Sequence, residues 1–556
     1  MIKTLHLQFG HGPGQPKESF DVGAVTIFVG PNNSGKSKVL TEIEQFCRAG
    51  MKHSPFVVLE AATFSGLSEN DAQIAINKIT EQPNPGEHVS GENIIVGSKN
   101  GRHQVHKANL YKYVQNPSEN SNGFCQWFLT HSTLFLDGSG RVSLVNDQPA
   151  GNLQAPPRTS LQFLFRDDKK RREVRRIVSE AFGSFVVVDP THLGTLKVRW
   201  SPTAPASDLE ERGIHAEAVA FHSKAQQIHE VSDGVKAFTG IILELVAGDP
   251  RVVIIDEPEA FLHPSLAFKL GHELSLAAVA ADKKVFVSTH SPSFVMGCIQ
   301  SGAPINIVRL TYRQTVPTAR ILPSGEILKL MRNPLLRSTG VISGLFYEFV
   351  VVTESDADRA FYQEINERLL RFMPQWGIPN CLFINAQNKQ TVKTIVEPLR
   401  RLGIPTVGIV DIDVVKEGGV VWSSLLEAAN IPSLAQGALS TMRVSVKAAM
   451  IGTGKDMKRD GGLAILQEGD REAAKSLLDQ LATYGIFVVP GGELESWLKP
   501  LGATSHGPAW LTGIFEKMGE DPSTEGYLKP ADGDVWKFIS LLRVWLVDAN
   551  RKGIPQ

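Results

Sequence analysis

Residues 26–40, TIFVGPNNSGKSKVL, run from β-forming residues through a glycine-bracketed loop into a helix-forming stretch. Thr26 to Val29 are β-branched or aromatic and favour a strand. Gly30, Pro31, Asn32, Asn33, Ser34, Gly35, Lys36 and Ser37 then follow with the spacing G-x-x-x-x-G-K-S. Strand, loop and helix in that order predict a phosphate-binding loop. Its glycines let backbone N–H groups close around a β-phosphate. Lys36 would reach the β- and γ-phosphates, and the Ser37 hydroxyl would hold Mg²⁺. ATP with Mg²⁺ (or Mn²⁺) is the cofactor this predicts.

Working outward, RVVIIDEPEAFLHPS (251–265) supplies the partner motif. Val252 to Ile255 read as a buried parallel strand. Asp256 at its end can hold Mg²⁺, and Glu257 can polarise the attacking water. VFVSTHSPSF (285–294) brings a further strand to His290, and EVSDGVKAF (230–238) places Ser232-Asp233-Gly234 ahead of a helix. In this order the motifs resemble the ATP-binding-cassette (ABC) ATPases of the SMC, RecF and OLD (overcoming lysogenization defect) type. The resemblance implies that His290 senses the γ-phosphate. It also implies that Ser232 and Gly234 cap ATP held by an opposite subunit, with FLHPS around His263 near that junction. A homodimer or higher even-numbered oligomer follows from that implication. The signature departs from the family pattern, with Ser-Asp-Gly in place of Ser-Gly-Gly. Gln162 is the candidate for the glutamine loop.

Composition sets the outer bounds. The 556 residues hold roughly three or four domains' worth of sequence and carry a formal net charge of −1. With no global cationic excess, any DNA contact has to come from a local patch. RDDKKRREVRR (166–176) is one such patch, and its plain reading is a solvated helix face. Cys47, Cys125, Cys298 and Cys381 are too dispersed for a metal or disulfide pattern. Lys3 and His6 interrupt the first apolar stretch, so no signal peptide is expected. No apolar run reaches the ~20 residues of a membrane span. These features predict a soluble, cytoplasmic protein without membrane contact. Residues 38–230 lack a sustained heptad pattern and carry strand-like runs such as STLFLDGSGRVSLV (132–145) and FVVVDPTHLGTLKVRW (185–200). A compact head without long coiled-coil arms is expected.

A second pattern begins near residues 325–345. FVVVTESDADRAFY (349–362) breaks from four buried-type residues into Glu354, Asp356 and Asp358. A helix is expected from about Asp356, with Phe361, Ile365 and Leu369 on one face. CLFIN (381–385) and TVGIVDIDVV (406–415) read as further strands, the latter carrying Asp411 and Asp413. In extended chain, positions two apart point the same way, so both carboxylates can serve one cation. Strands alternating with helices imply a parallel sheet, whose ligands gather at the strands' carboxyl ends. Acids clustered at one edge repel unless a cation joins them, and hard oxygens suit Mg²⁺ or Mn²⁺.

This second pattern resembles the Toprim fold of topoisomerases, primases and OLD-family nucleases. Glu354 with Asp358 matches its first motif and Asp411-x-Asp413 its second. FVVPGGELESWL (487–498) resembles a later acidic motif, with Glu495 as the preferred ligand and Glu493 in reserve. A helical segment there would turn the two acids to opposite sides. Lys537 is the candidate for the basic residue beside the scissile phosphate; its plain reading is a surface lysine. Two departures stand out: Ser355 replaces the glycine usual after the first glutamate, and INAQNKQ (384–390) lacks the glycine often found after the second strand.

The α/β architecture expected is therefore an ABC-type ATPase domain over 1–340 with room for an inserted lobe in 50–225. A Toprim domain over 341–500 and a helical extension over 501–556 would follow. Both halves together resemble OLD-family nucleases, including Gabija-type defence nucleases. That resemblance implies ATP-regulated, metal-dependent cleavage of DNA in antiphage defence, with scope for a helicase-like or other defence-system partner. The alternative is an ATP-driven sensor or scaffold with a silent Toprim domain and a separate effector.

Overall fold

The computed structural model describes residues 1–51, 55–98, 101–154, 157–248, 250–313, 316–338 and 340–555. Two units emerge, Met1–Leu328 and Lys329–Gln556. In the first, six strands form the central sheet: β1 (Val25–Val29), β2 (Thr133–Leu136), β3 (Val252–Asp256), β4 (Lys284–Ser288), β5 (Ile305–Arg313) and β6 (Val316–Leu322). Their order is β6-β5-β1-β4-β3-β2. All neighbours are parallel except the β5–β6 hairpin. Strands covered on both faces need unbroken apolar runs, and Val25–Val29 and Val252–Ile255 are buried throughout. The register sets Asp256 beside Ser288 and Ser288 beside Phe28. Loops leaving β1, β4 and β3 therefore open side by side at one sheet edge.

Two expectations for the region before residue 230 change. The run 132–145 is a strand only over Thr133–Leu136 and then becomes the helix Gly138–Ser143, because the Asp137 side chain accepts from Gly140 N and caps it. The basic run is only in part a solvated face, with Lys169 and Arg172 exposed. Within the helix Asp168–Phe182, Arg171 is 1% exposed and its Nε donates to Glu211 at 2.5 Å, while Arg175 bonds the same carboxylate. Arg176 pairs with Glu173 and Glu180, each at 2.8 Å. Much of this positive charge is spent inside the unit.

The second unit holds four parallel strands, β7 (Phe349–Thr353), β8 (Cys381–Asn385), β9 (Thr406–Val410) and β10 (Ile486–Val488), in the order β8-β7-β9-β10. The chain moves outward from β7 to β8 and returns on the other side with β9. A crevice at the carboxyl ends of β7 and β9 is the consequence. The helix Asp356–Phe372 buries Phe361, Ile365 and Leu369. The helices Pro508–Met518 and Asp534–Val547 send Trp510, Ile514, Ile539 and Leu542 into one core with Phe349, Val351, Val407 and Phe487.

Two buried arginines fasten that C-terminal segment. Arg368 donates to Met518 O and Leu528 O at 2.9 Å each and to Gly519 O at 2.6 Å. Arg400 donates to Thr406 O (2.9 Å), Ala429 O (3.1 Å), Gly485 O (3.2 Å) and Gly553 O (3.0 Å), its guanidinium over Trp545. Burial without a carboxylate partner among the described residues lowers its pKa to about 9. Arg400→Met should cost about 2–4 kcal/mol, because several buried carbonyls lose their donor at once. Thermal melting checks this, and an unchanged midpoint would refute the clasp.

Candidate active sites

At the first sheet edge, left-handed backbone shapes the loop after β1. Gly30 has φ +145°, where an added Cβ would meet Leu310 O at 2.0 Å. Asn33 (φ +60°) and Gly35 (φ +95°) are residue types that tolerate such angles. Asn32 and Asn33 are exposed, while Ser34 and Lys36 are buried. Lys36 Nζ folds back across the loop, donating to Gly30 O (3.0 Å) and Pro31 O (2.7 Å), 3.5 Å from Ser34 Oγ. Burial lowers its pKa to about 8, against the pull of Glu257 and Asp256. A phosphate there would replace the carbonyls and favour the charged ammonium.

Ser37 Oγ donates to Asp256 Oδ1 at 3.1 Å, and Ser288 Oγ bonds the same oxygen. A hydroxyl and a carboxylate thus meet as hard donors suited to Mg²⁺. Glu257, in left-handed backbone at φ +48°, lies 3.7 Å from His290 Nε2. Glu259, which sequence reasoning passed over, fixes the loop carrying His290. Its Oε1 accepts from Thr289 Oγ1 (2.7 Å) and His290 N (2.9 Å), and burial raises its pKa. Arg141, also missed, donates from Nη1 to Asp256 O at 2.8 Å. It lies on the helix that the sequence disguised as strand.

Ser232 is the N-cap of the helix Asp233–Val246, so Gly234 lies inside the first turn and not in a loop before it. A Cβ on Gly234 would meet Phe261 O at 2.6 Å. His263 caps the next helix, Pro264–Ala280, two residues beyond Phe261. Gln162, the candidate for the glutamine loop, is engaged locally. Its Nε2 donates to Pro149 O and its Oε1 accepts from Arg158 N, both at 2.8 Å, so it clasps its own neighbourhood.

In the second unit the acids converge at the crevice. Glu354, just past β7, has its Oε1 accept from Asp411 N at 2.9 Å. Burial pushes its pKa up to about 8, and the charge of Asp411 adds to the rise. Asp411, just past β9, is raised to about 6, by burial first, with Lys458 pulling it down. Asp413 lies in the 3₁₀ turn Ile412–Lys416, so the extended-chain argument for its direction does not hold. The turn still keeps it close enough to raise Glu354 and Asp411. Asp358 spends one oxygen on Ser355 N at 2.9 Å in a helix capping box, and burial raises its pKa.

Glu493 is extended (φ −144°) and caps the 3₁₀ turn Leu494–Ser496 that carries Glu495. The two carboxylates converge instead of diverging: one ligand atom each from Glu493, Glu495 and His506 lies within 4.8 Å of the others. Glu495 Oε1 also accepts from Gly507 N at 2.8 Å.

Lys537 is exposed, with Nζ 4.9 Å from the centroid of the Trp376 ring. The lysine that meets the acids is Lys458, with Nζ 2.7 Å from Asp411 Oδ2 and 3.9 Å from Glu493 Oε2. Burial works against its charge, but the pairing with Asp411 outweighs that and holds the ammonium above its usual range.

Two glycines bring Lys458 there. A Cβ on Gly492 (φ +117°) would meet Lys458 O at 2.0 Å, and one on Gly462 (φ +60°) would meet Pro490 O at 2.2 Å. Leu463 N→Pro490 O and Ile412 N→Gly492 O, both 2.9 Å, lock the three loops together. Gly492→Ala should therefore cost about 1–3 kcal/mol in strain. Thermal denaturation in chelator measures it, and a wild-type midpoint would contradict the packing argument.

No helix among the described residues is long and apolar enough to cross a membrane. No curated protein matches the chain. Residues 194–296 match the family described as "AAA domain, putative AbiEii toxin, Type IV TA system", a stretch that holds Ser232, Asp256, Glu257 and His290 but not the Lys36 loop. Among solved structures, an Smc head bound to the C-winged helix domain of ScpA is similar at 14% identity and TM-score 0.33, over 59% of this chain and 99% of that one. The SMC head domain from Thermotoga maritima matches at 15% identity and TM-score 0.29, over 58% and 99%. The Smc head from Pyrococcus furiosus, with an extended coiled coil and bound to the C-terminal domain of ScpA, matches at 10% and 0.33, over 60% and 98%. An ATPase-type domain within an α/β chain is what the family match supports.

Proposed function

We propose that the chain is an ATP-regulated, divalent-metal-dependent DNA endonuclease of the OLD type, acting in antiphage defence. The observation that carries this is the convergence of Glu354, Asp411, Asp413, Glu493 and Glu495 at the switch point of a parallel sheet. Burial and mutual repulsion raise three of these carboxylates despite Lys458, so the donor set is short of positive charge. Hard oxygens in that condition fit Mg²⁺ or Mn²⁺. Bound there, a divalent ion supplies Lewis-acid polarisation of a phosphodiester and an activated water. In a two-metal scheme, Glu354 and Asp358 would hold one ion and Asp411, Asp413 and Glu495 the other, with Glu493 and His506 beside them. Lys458 holds a positive charge at Asp411, where it can neutralise a phosphate oxygen. Tyr362 is no topoisomerase-type nucleophile, since it is fully buried and accepts a hydrogen bond from Trp497 Nε1 at 2.9 Å.

In the first unit, ATP bound by Lys36 and Ser37, and hydrolysed with Asp256 and Glu257, would gate the cutting. Ser232 and Gly234 would act across a dimer of ABC-type heads. The scaffold reading draws on two observations: Asp358 is already used as a helix cap and Asp411 is already paired with Lys458. Plasmid incubated with Mg²⁺ or Mn²⁺, with and without ATP, separates the two. Metal-dependent nicking or linearisation supports the nuclease. Intact plasmid under every nucleotide and metal condition, with ATP still hydrolysed, leaves the scaffold.

A further inference from the structure

The helix Ser433–Gly452 buries only Leu439, Val446 and Met450 of its 20 residues. Its outer face is unusual for a solvated helix. Leu434 is 92%, Val444 56% and Ile451 60% exposed. Gly437, Thr441 and Ala448 are exposed on the same face. Together, positions 434, 437, 441, 444, 448 and 451 step by three and four alternately, the spacing of a coiled-coil seam.

Neither charge of the helix serves this stripe. Arg443 turns inward to Val415 O (3.3 Å) and Glu417 O and lies over the Trp422 ring, and Lys447 donates to Lys416 O at 2.8 Å. A face without charge gives nucleic-acid phosphates nothing to bind.

Gly437 adds an independent observation. Glycine inside a helix costs about 1 kcal/mol relative to alanine. Nothing within the chain asks for it: a Cβ there would meet no atom within 4 Å, and its φ is not positive. A residue that costs stability and answers no contact of its own chain fits one that lets a second backbone approach.

We infer that this stripe is a self-pairing surface on which a second copy of the chain packs as an antiparallel helix. The residue classes along the stripe point to the partner. The stripe is a palindrome about the point between Met442 and Arg443: reversed, Leu434 falls opposite Ile451, Gly437 opposite Ala448 and Thr441 opposite Val444. Large meets large at both ends, small meets small between, and β-branched meets β-branched near the axis. An isologous two-fold contact requires such self-complementarity, and a different partner does not. Two helices about 30 Å long meet over an area near the lower bound of roughly 1,000 Å² for a specific interface. The contact alone is therefore weak and works alongside any other pairing of the chain.

Cysteine placement tests partner, direction and register together. In the antiparallel pair, the ends of one helix meet the opposite ends of its copy. Leu434→Cys with Ile451→Cys, and Thr441→Cys with Val444→Cys, should each give a covalent dimer under mild oxidation or with a short bis-maleimide. Leu434→Cys alone should not, because its copy lies about 25 Å away along the axis. Adding Val444→Glu to the Leu434/Ile451 cysteine pair should suppress the dimer at least tenfold. The unsubstituted chain, with Cys47, Cys125 and Cys298 buried, is the background. Crosslinking through Leu434→Cys alone means a parallel contact and overturns the inference. No dimer from either cysteine pair, at wild-type melting temperature, leaves the stripe to another occupant and also overturns it. Crosslinks read the direction and register of this contact, while plasmid cleavage and ATP turnover read the proposed function, so either can fail without the other.

Discussion

Glu257→Gln should bind ATP about as tightly as the wild-type chain and hydrolyse it about 10²–10⁴-fold more slowly. Its carboxylate stands at the carboxyl end of β3, held in left-handed backbone and 3.7 Å from His290. Glutamine keeps the shape and removes only the charge that polarises water. Lys36→Ala should act on the other term. Removing the ammonium that faces the loop carbonyls should weaken ATP binding itself. Equilibrium binding of a fluorescent ATP analogue and steady-state turnover, measured on both variants, give the two terms separately. Wild-type turnover in both would end the ATPase assignment of the first unit. Tight binding by Lys36→Ala would move the nucleotide elsewhere.

The two candidate sites differ in how much of them could be read from the chain alone. The phosphate loop, Asp256–Glu257 and His290 each sit within a few residues of a strand whose apolar run announces it. Their meeting needs only that β1, β4 and β3 be neighbours. Glu354 and Asp411 were legible for the same reason. Asp413 was placed near them by the wrong argument, since the strand stops at Val410 and a 3₁₀ turn carries the carboxylate back. Glu493 and Glu495 converge because 3₁₀ geometry, with an extended cap before it, does not separate positions two apart as an α-helix does.

Lys458 was out of reach by any local pattern. It reaches Asp411 through backbone contacts between Gly492 and Lys458 and between Gly462 and Pro490, and such tertiary closeness leaves only scattered glycines in the sequence. Lys537, implied only by the family resemblance, lies exposed over Trp376. Asp356, one residue past the Ser355 cap, is the surface acid of its cluster and pairs with Arg359 at 2.8 Å.

Asp411→Ala should abolish metal-dependent cleavage while ATP turnover stays within about twofold of wild type. It should also remove most of the stabilisation that excess Mn²⁺ confers. An ion at 100 times its dissociation constant stabilises by about 2.7 kcal/mol, and losing a central ligand should shrink that to a small fraction. The pH dependence has a definite sign. Burial and mutual repulsion push Glu354 up to about 8 and Asp411 up to about 6 in the metal-free protein, both above their ordinary values of 4.5 and 3.8. The folded state therefore holds protons that the unfolded state has released. In chelator, the stability tied to these groups is complete below about pH 4 and drains away as pH rises toward 8. A divalent ion binds the deprotonated form, so Mn²⁺ should stabilise more at pH 8 than at pH 6. Asp411→Ala removes one charge from the repulsive set but also the nearest partner of Lys458, leaving Glu493 at 3.9 Å, so in chelator its midpoint should flatten with pH without rising far. Melting curves of both proteins at pH 6, 7 and 8, in chelator and in excess Mn²⁺, resolve these effects. If wild type loses no stability in chelator from pH 6 to 8 and gains none from Mn²⁺, the acids are a structural cluster held by Lys458. The nuclease then gives way to the scaffold.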